Sequence, residues 1–286
     1  MYLTISKQKK IAVINDFSGF GRCSLSVSIP IISAAGIQCC AVPTAVLSNH
    51  TGYEDYFFDD YTDKMSVYYS KWEKLNLSFD AIYTGFLGSV RQIAIVEDFI
   101  DRFAGNETHI IVDPVMGDNG RIYATLTSEH CRSLRRLAAR ADVLTPNLTE
   151  ACILTGIPYN ENICEIPELL MISEKLRSAG SRDIVITGIK KSGSICNFIY
   201  KRDGSYSVVA APSIGCERAG TGDVFAAVLV SRLVCGDALE EAVERSSDFV
   251  LDAIRITEKL ETPPQDGLCF ELLLGELCGG QQGALL

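Results

Sequence analysis

Histidine is scarce in this chain: three of 286 residues, at positions 50, 109 and 130. No Gly-x-Ser-x-Gly or His-Glu-x-x-His accompanies them, so neither a hydrolytic triad nor a zincin site is provided for, and the Walker A pattern is missing as well. Positive charge is also short. Lys and Arg number 26 against 36 Asp and Glu, a formal net charge of -10, and a nucleic-acid backbone would be repelled at long range, so no nucleic-acid partner is expected. No run of about 18 lipid-facing residues occurs. The opening MYLTISKQKK is basic without an apolar h-region, so neither a membrane span nor a secretory signal is expected. The eleven Cys are odd in number and scattered, with no C-x-x-C pair and no zinc-like Cys/His spacing. They read as buried thiols of a cytoplasmic protein.

One absence is local. From Cys23 to Tyr53 there is no Asp, Glu, Lys or Arg. Pro30, Gly36, Gln38 and Pro43 break this stretch into a helix-sized and a strand-sized piece, which assigns it to a core and not to a bilayer.

Apolar residues, by contrast, are plentiful at 47%, enough for a large buried core. Short apolar runs ending in Gly, Pro, Asn or Asp lie at 11–15, 38–47, 81–87, 109–115, 141–147 and 183–189, and they read as strands buried on both faces. Amphipathic stretches at 90–103, 128–140 and 166–179 alternate with them. This rhythm predicts an α/β fold with a mostly parallel central sheet and helices on both faces. Residues 193–201 and 205–213, on either side of RDGS, read as an antiparallel pair. The expectation is a single domain over residues 1–286, with an aromatic and acidic flap at about 50–66 and a frayed tail at about 279–286.

Ligands of an open α/β sheet bind beyond the carboxyl ends of its strands, and the chemically loaded residues follow the strand-like runs. Gly220-Thr221-Gly222-Asp223 precedes the apolar VFAAVLVSRL. Successive backbone N–H groups at such a helix start form an anion site without any positive side chain. Asp223 there is either a helix cap, worth about 1 kcal/mol, or part of the chemistry at that site. In TPNLTE, Asn147 and Glu150 are three apart; they suit a Mg²⁺ held through water against a phosphate, and equally an N-terminal cap. DPVMGD places Asp113 and Asp118 on a loop after a strand. Gly19-x-Gly21-x-x-Ser24 comes close to a dinucleotide fingerprint, but no acid lies between Asp16 and Glu54 to take a ribose hydroxyl. A dinucleotide site is therefore not expected.

Together, the Gly-Thr-Gly-Asp, the Asn-x-x-Glu after the fifth strand and the glycine turn after the first strand resemble the ribokinase-like superfamily of ATP-dependent small-molecule kinases, over most of the chain. SNHTGY (48–53), TGF (84–86), DPVMGD (113–118) and TPN (145–147) are similar to the pyridoxal kinases. The resemblance implies a three-layer sandwich with a short flap, and ATP-dependent phosphorylation of the hydroxymethyl group of a B6 vitamer. It implies Asp223 as general base and Gly220, Thr221 and Gly222 as the anion hole. Asn147 and Glu150 would orient Mg²⁺ and its waters. Asp113, Thr145, Thr187 and Gly188 would lie by the nucleotide phosphates, the first three also near an activating K⁺, with Asp118 in the same acidic neighbourhood. Asp16, Ser18, His50, Thr51 and Phe86 would enclose the substrate ring, and the protein would be a homodimer. Asp16 stands where many pyridoxal kinases carry Ser, and Phe86 where Tyr is frequent; DFSGFG is also similar to the hydroxymethylpyrimidine kinases. A pyrimidine substrate, or a non-catalytic binding protein of the same fold, are the other readings.

Overall fold

The structure is a computed structural model describing residues 8–123 and 126–278; the tail at about 279–286 lies outside the described residues. Its frame follows from one alternation. In β1 (Lys10–Phe20), Ile11 and Val13 bury themselves on one face of the sheet, Ala12 and Ile14 on the other, so helices must cover both.

On the Ala12 face, the core is filled from α2 (Thr62–Glu73), α3 (Val90–Phe103), α4 (Ser128–Ala138), α5 (Leu148–Thr155) and α6 (Ile166–Ser178). The Ile11 face is covered by α1 (Ser24–Ala34), α7 (Thr221–Cys235) and α8 (Leu239–Lys259). The result is the three-layer α/β sandwich expected from the sequence. A further cluster behind α1 and α7 takes Leu268, Phe270, Leu273 and Leu277 from the chain around α9 (Leu274–Leu277).

β1 lies between β2 (Gln38–Asn49) and β4 (Ala81–Thr84). Next to β4 come β5 (His109–Val112), β8 (Val143–Leu144) and β9 (Asp183–Lys191), all parallel. β10 (Ser194–Tyr200) and β11 (Tyr206–Pro212) continue antiparallel, as their sequence predicts. β3 (Phe58–Asp60) adds antiparallel to β2 at the opposite edge, and β6 (Gly117–Asp118) with β7 (Arg121–Ile122) forms a small separate hairpin. Among the described residues, no helix is long and apolar enough to cross a membrane.

The charge-free stretch divides as expected into a helix, α1, and a strand, β2; Pro30 sits inside α1 and Pro43 within β2 beside a register shift of the β1 pairing, where a missing N–H costs least. One local reading changes. The expected flap at 50–66 is a turn followed by β3 and the first turn of α2. Thr62 and Met65 are buried there, and Asp60 accepts the Thr62 backbone N–H at 2.8 Å at the helix start. The acids that obscured the helical period stand on its solvent side and at its entry.

Candidate active site

The start of α7 is fixed by a glycine. Gly220 has φ +71°, and a Cβ there would collide with the Arg22 carbonyl, so α7 begins pressed against the 22–23 turn. The first helical bond runs from the Val224 N–H to the Gly220 carbonyl at 2.9 Å. The N–H groups of Thr221, Gly222 and Asp223 thus have no intrahelical acceptor, and space beside Gly222 is open. These amides lie where the sequence leads to an anion site being expected. Asp223 is not the cap: Gly220 holds that position, leaving Asp223 at the third helical residue. Its Oδ1 accepts from Asn15 Nδ2 at 3.3 Å. Burial pushes its carboxyl up to about 6; the Ser24 backbone amide opposes the rise, the Asp16 charge adds to it, and Asn15 opposes it.

Asn147 and Glu150 form a reciprocal capping box at the start of α5. Asn147 Oδ1 accepts the Glu150 N–H, and Glu150 Oε2 accepts the Asn147 N–H, both at 2.9 Å. The same side chains reach the 113–118 loop: Glu150 Oε1 accepts the Met116 N–H at 3.0 Å, and Asn147 Nδ2 donates to the Gly117 carbonyl at 2.8 Å. Buried Glu150 is pushed up to about 7 by its burial, with the amides of Met116, Asn147 and Gly117 opposing and the Asp118 charge adding. Asp113 is raised well above the usual carboxylate range, by burial first and then by the charges of Glu150 and Asp223. Thr145 is buried alongside, Thr187 pairs with Asn147 in a parallel bridge, and Gly188 and Asp118 are exposed.

Carboxylates crowded in this way, with only oxygen donors, suit a hard cation such as Mg²⁺. Among the described residues, no three His, Cys, Asp or Glu are arranged to hold a metal by themselves. A cation here would complete its shell with water and phosphate oxygens.

On the opposite side, Asn15 organises the expected ring site. Its Oδ1 accepts the N–H of Asp16 at 3.0 Å and of Phe86 at 2.9 Å, and a Cβ on Gly85 would collide with its side chain. Phe86 is half-buried beside it. Both Asp16 oxygens face serines: Oδ1 accepts from Ser24 Oγ at 2.6 Å and Oδ2 from Ser18 Oγ at 3.2 Å. Burial raises this carboxyl while those bonds lower it. Thr51 is exposed. His50 Nδ1 accepts the Gly52 N–H at 3.0 Å, which leaves its Nε2–H to donate to the Gln265 carbonyl at 2.7 Å. His50 therefore ties the 50–53 turn to the Pro264–Asp266 turn, where Tyr53 also donates to Asp266 Oδ1 at 2.6 Å.

Asn15, Asp16, Ser18, Asp113, Glu150 and Asp223 thus converge from β1, the loop after β5, α5 and α7. Sequence reasoning placed Asn15 with Asp16 at a loaded strand end and Tyr53 at the start of the flap without giving either a bond, and it gave no role to Tyr83 or Asp266. Asn15 ends a strand-like run, which was a usable signal. Tyr83, wholly buried on β4 with an unpartnered hydroxyl, offered only an apolar pattern. His130 is likewise buried, on α4, as its helical setting predicts.

A family model described as phosphomethylpyrimidine kinase matches residues 29–266. A pyridoxine/pyridoxal/pyridoxamine kinase of Bordetella avium is 27% identical over 259 residues, covering 83% of this chain and 82% of the relative. A crystal structure of a candidate phosphomethylpyrimidine kinase from Bacteroides thetaiotaomicron, in an orthorhombic form with pyridoxal, is 42% identical. It superposes with a TM-score of 0.91 over 97% of this chain and 98% of its own. Pyridoxal kinase from Lactobacillus plantarum is 28% identical, with a TM-score of 0.88 over 95% and 97%. With the family match spanning most of the sandwich, the chain belongs to the phosphomethylpyrimidine kinase family, on the ribokinase-like fold.

Proposed function

We propose that the protein transfers the γ-phosphoryl group of ATP to the hydroxymethyl group of a B6 vitamer (pyridoxal, pyridoxine or pyridoxamine), giving the 5′-phosphate in salvage toward pyridoxal phosphate. The observation that carries this reading is Asp223: a carboxyl raised to about 6, standing in the same turn as three outward N–H groups and facing the Asp113–Glu150 cluster. Phosphoryl transfer asks for an in-line alcohol, a place for its proton and stabilisation of charge on the transferred group, with little covalent help. Asp223 takes the proton. The amides of Thr221, Gly222 and Asp223 hold the transferring group at the positive end of α7.

On the other side of that group, Asn147, Glu150 and Asp113 fit Mg²⁺ and its waters, and Thr145, Thr187, Gly188 and Asp118 border the nucleotide phosphates, with K⁺ near Asp113, Thr145 and Thr187. Mg²⁺ bound there supplies neutralisation of phosphate charge. Asp16, Ser18, Phe86, His50 and Thr51 surround the acceptor alcohol. His50 and Tyr53 fasten the 50–53 turn over this side, a position suited to excluding water. The protein is read as a cytoplasmic homodimer.

Hydroxymethylpyrimidine is the second acceptor to consider, favoured by the family description and by Asp16 within DFSGFG. The test is ATP consumption with product identification, offering pyridoxal, pyridoxine, pyridoxamine and hydroxymethylpyrimidine side by side in Mg²⁺ and K⁺. A preference for a B6 vitamer is expected. Turnover of the pyrimidine alone would move the protein to thiamine synthesis, and silence with all four would leave a binding protein.

A further inference from the structure

We infer that Asp266 is a positioning residue for the acceptor alcohol: its carboxylate pins Tyr53, and with it the 50–53 turn, to the same short turn that seats the start of α7. This rests on the reading of the protein as a kinase whose acceptor lies against residues 50–53.

Residues 50–53 form a four-residue turn closed by the Tyr53 N–H on the His50 carbonyl at 3.2 Å. Both ends are fastened from outside. At one end His50 Nε2 donates to the Gln265 carbonyl at 2.7 Å, and at the other the Tyr53 hydroxyl donates to Asp266 Oδ1 at 2.6 Å. Partial burial and that bond hold the Tyr53 phenol up at about 12, so it stays a donor. The His50 and Tyr53 rings lie 4.7 Å apart. Gly21, at φ +80°, leaves them room: a Cβ there would stand 2.5 Å from His50 Cδ2. Thr51 and Gly52, exposed between the fastened ends, are carried wherever those ends are held.

The anchor is itself tied to the start of α7. The Pro264 carbonyl accepts the Ala219 N–H at 3.2 Å, one residue before Gly220. The Asp266 carbonyl accepts the Arg22 N–H at 3.3 Å and Arg22 Nη1 at 3.2 Å, and the Arg22 carbonyl abuts Gly220. Gly267 closes this frame at φ +81° and ψ -166°, a region essentially confined to glycine. A Cβ there would stand 2.7 Å from Arg22 Cβ. These ties run through the backbone of residues 264–267. The Asp266 carboxylate is separable from them, because among the described residues its hydrogen bond is the one to Tyr53.

An acceptor resting on the 50–53 turn is thus placed relative to α7 through Tyr53, Asp266 and the Pro264 carbonyl. Phosphoryl transfer depends on in-line placement and on keeping water out. Loss of the pin should therefore act on the acceptor and on water exclusion, and leave the nucleotide alone.

The test compares Tyr53→Phe, Asp266→Ala, Asp266→Asn and the Tyr53→Phe, Asp266→Ala double variant with the native chain, using MgATP and the acceptor that the substrate panel selects. Tyr53→Phe and Asp266→Ala remove one bond from its two ends. Each should raise the KM of the acceptor about fivefold or more, and ATP hydrolysis without acceptor about threefold or more, while the calorimetric Kd for MgATP stays within about twofold. The double variant should match the worse single variant within about twofold, since one bond cannot be lost twice. Asp266→Asn keeps an oxygen for the Tyr53 hydroxyl and should stay close to native. Hydrogen exchange of the Gly52 and Tyr53 amides, bonded to His50 Nδ1 and to the His50 carbonyl, reads the pin without turnover. It should quicken about tenfold in both single variants that lose the bond.

Equal rises in the KM of acceptor and of MgATP, multiplied losses in the double variant, or native-like exchange in both single variants would overturn the inference. If Asp266→Ala does not fold, Tyr53→Phe and Asp266→Asn decide it. Silence with every acceptor on the panel would remove the kinase reading and this role with it, whereas turnover with an unshifted acceptor KM would remove the role alone.

Discussion

A carboxylate can act as a base near neutral pH only if it is ionised there and still has appetite for a proton, and Asp223 meets both conditions at about 6. Replacing it with Asn keeps an acceptor for the Asn15 amide and removes the place for the alcohol's proton. Asp223→Asn is therefore expected to lower kcat by about 10²–10⁴-fold, while ATP binding, measured by calorimetry, stays within a few-fold of native. A variant that keeps most of its turnover would remove Asp223 from the chemistry. The residue scale is also where the sequence was least legible. Asn15 and Asp223 are 208 positions apart, and no local pattern announces that one will hold the other. The roles carried over for His50 came from SNHTGY as a string, and the string does not show that both ring nitrogens bond within the chain.

At the scale of elements, much more was readable. Strands buried on both faces must be apolar at successive positions, so β1, β2, β4, β5 and β9 stood out as runs, and α3, α4 and α6 as amphipathic stretches between them. The start of α2 was hidden because Asp59, Asp60 and Asp63 crowd its entry. Asn-x-x-Glu had two readings open, cap and cation site, and the structure builds the cap while directing both side chains onto the 113–118 loop. One element end thereby sets the distance between the acidic loop and α5. Asn147→Ala removes the cap and the bond to the Gly117 carbonyl together. It should cost about 0.5–2 kcal/mol of stability, read by urea denaturation, and raise the KM for MgATP more than the KM for the alcohol. Equal changes in both KM values would show that the box serves stability alone.

For the molecule as a whole, the site is a concentration of like charge inside a protein that already carries -10. Asp16, Asp113, Glu150 and Asp223 are all raised above their ordinary values of 3.8 and 4.5, Asp223 to about 6 and Glu150 to about 7. A folded state that holds protons more tightly than the unfolded chain gains stability where those protons are bound. This contribution is complete below about pH 4, where the unfolded carboxyls are also protonated, and is lost as pH rises through about 6 to 7. Without metal and nucleotide, the stability contributed by the cluster should therefore fall between pH 5 and pH 7.5, for Asp223 alone by about 1.4 kcal/mol of the about 3 kcal/mol that its full shift amounts to. Surface carboxyls such as the exposed Asp203 and the half-buried Glu240, which lie below their usual range, act in the opposite sense at lower pH, so the comparison is with Asp223→Asn. That variant should show a flatter dependence of unfolding free energy over this window and should be more stable than the native chain at pH 7.5. MgATP should recover more stability in the native protein at pH 7.5 than at pH 5, because a cation replaces the protons that the cluster has lost. Parallel curves for the two proteins would mean that Asp223 carries its charge at no cost to folding, and the cluster's function would have to be sought without the strain assigned to it here.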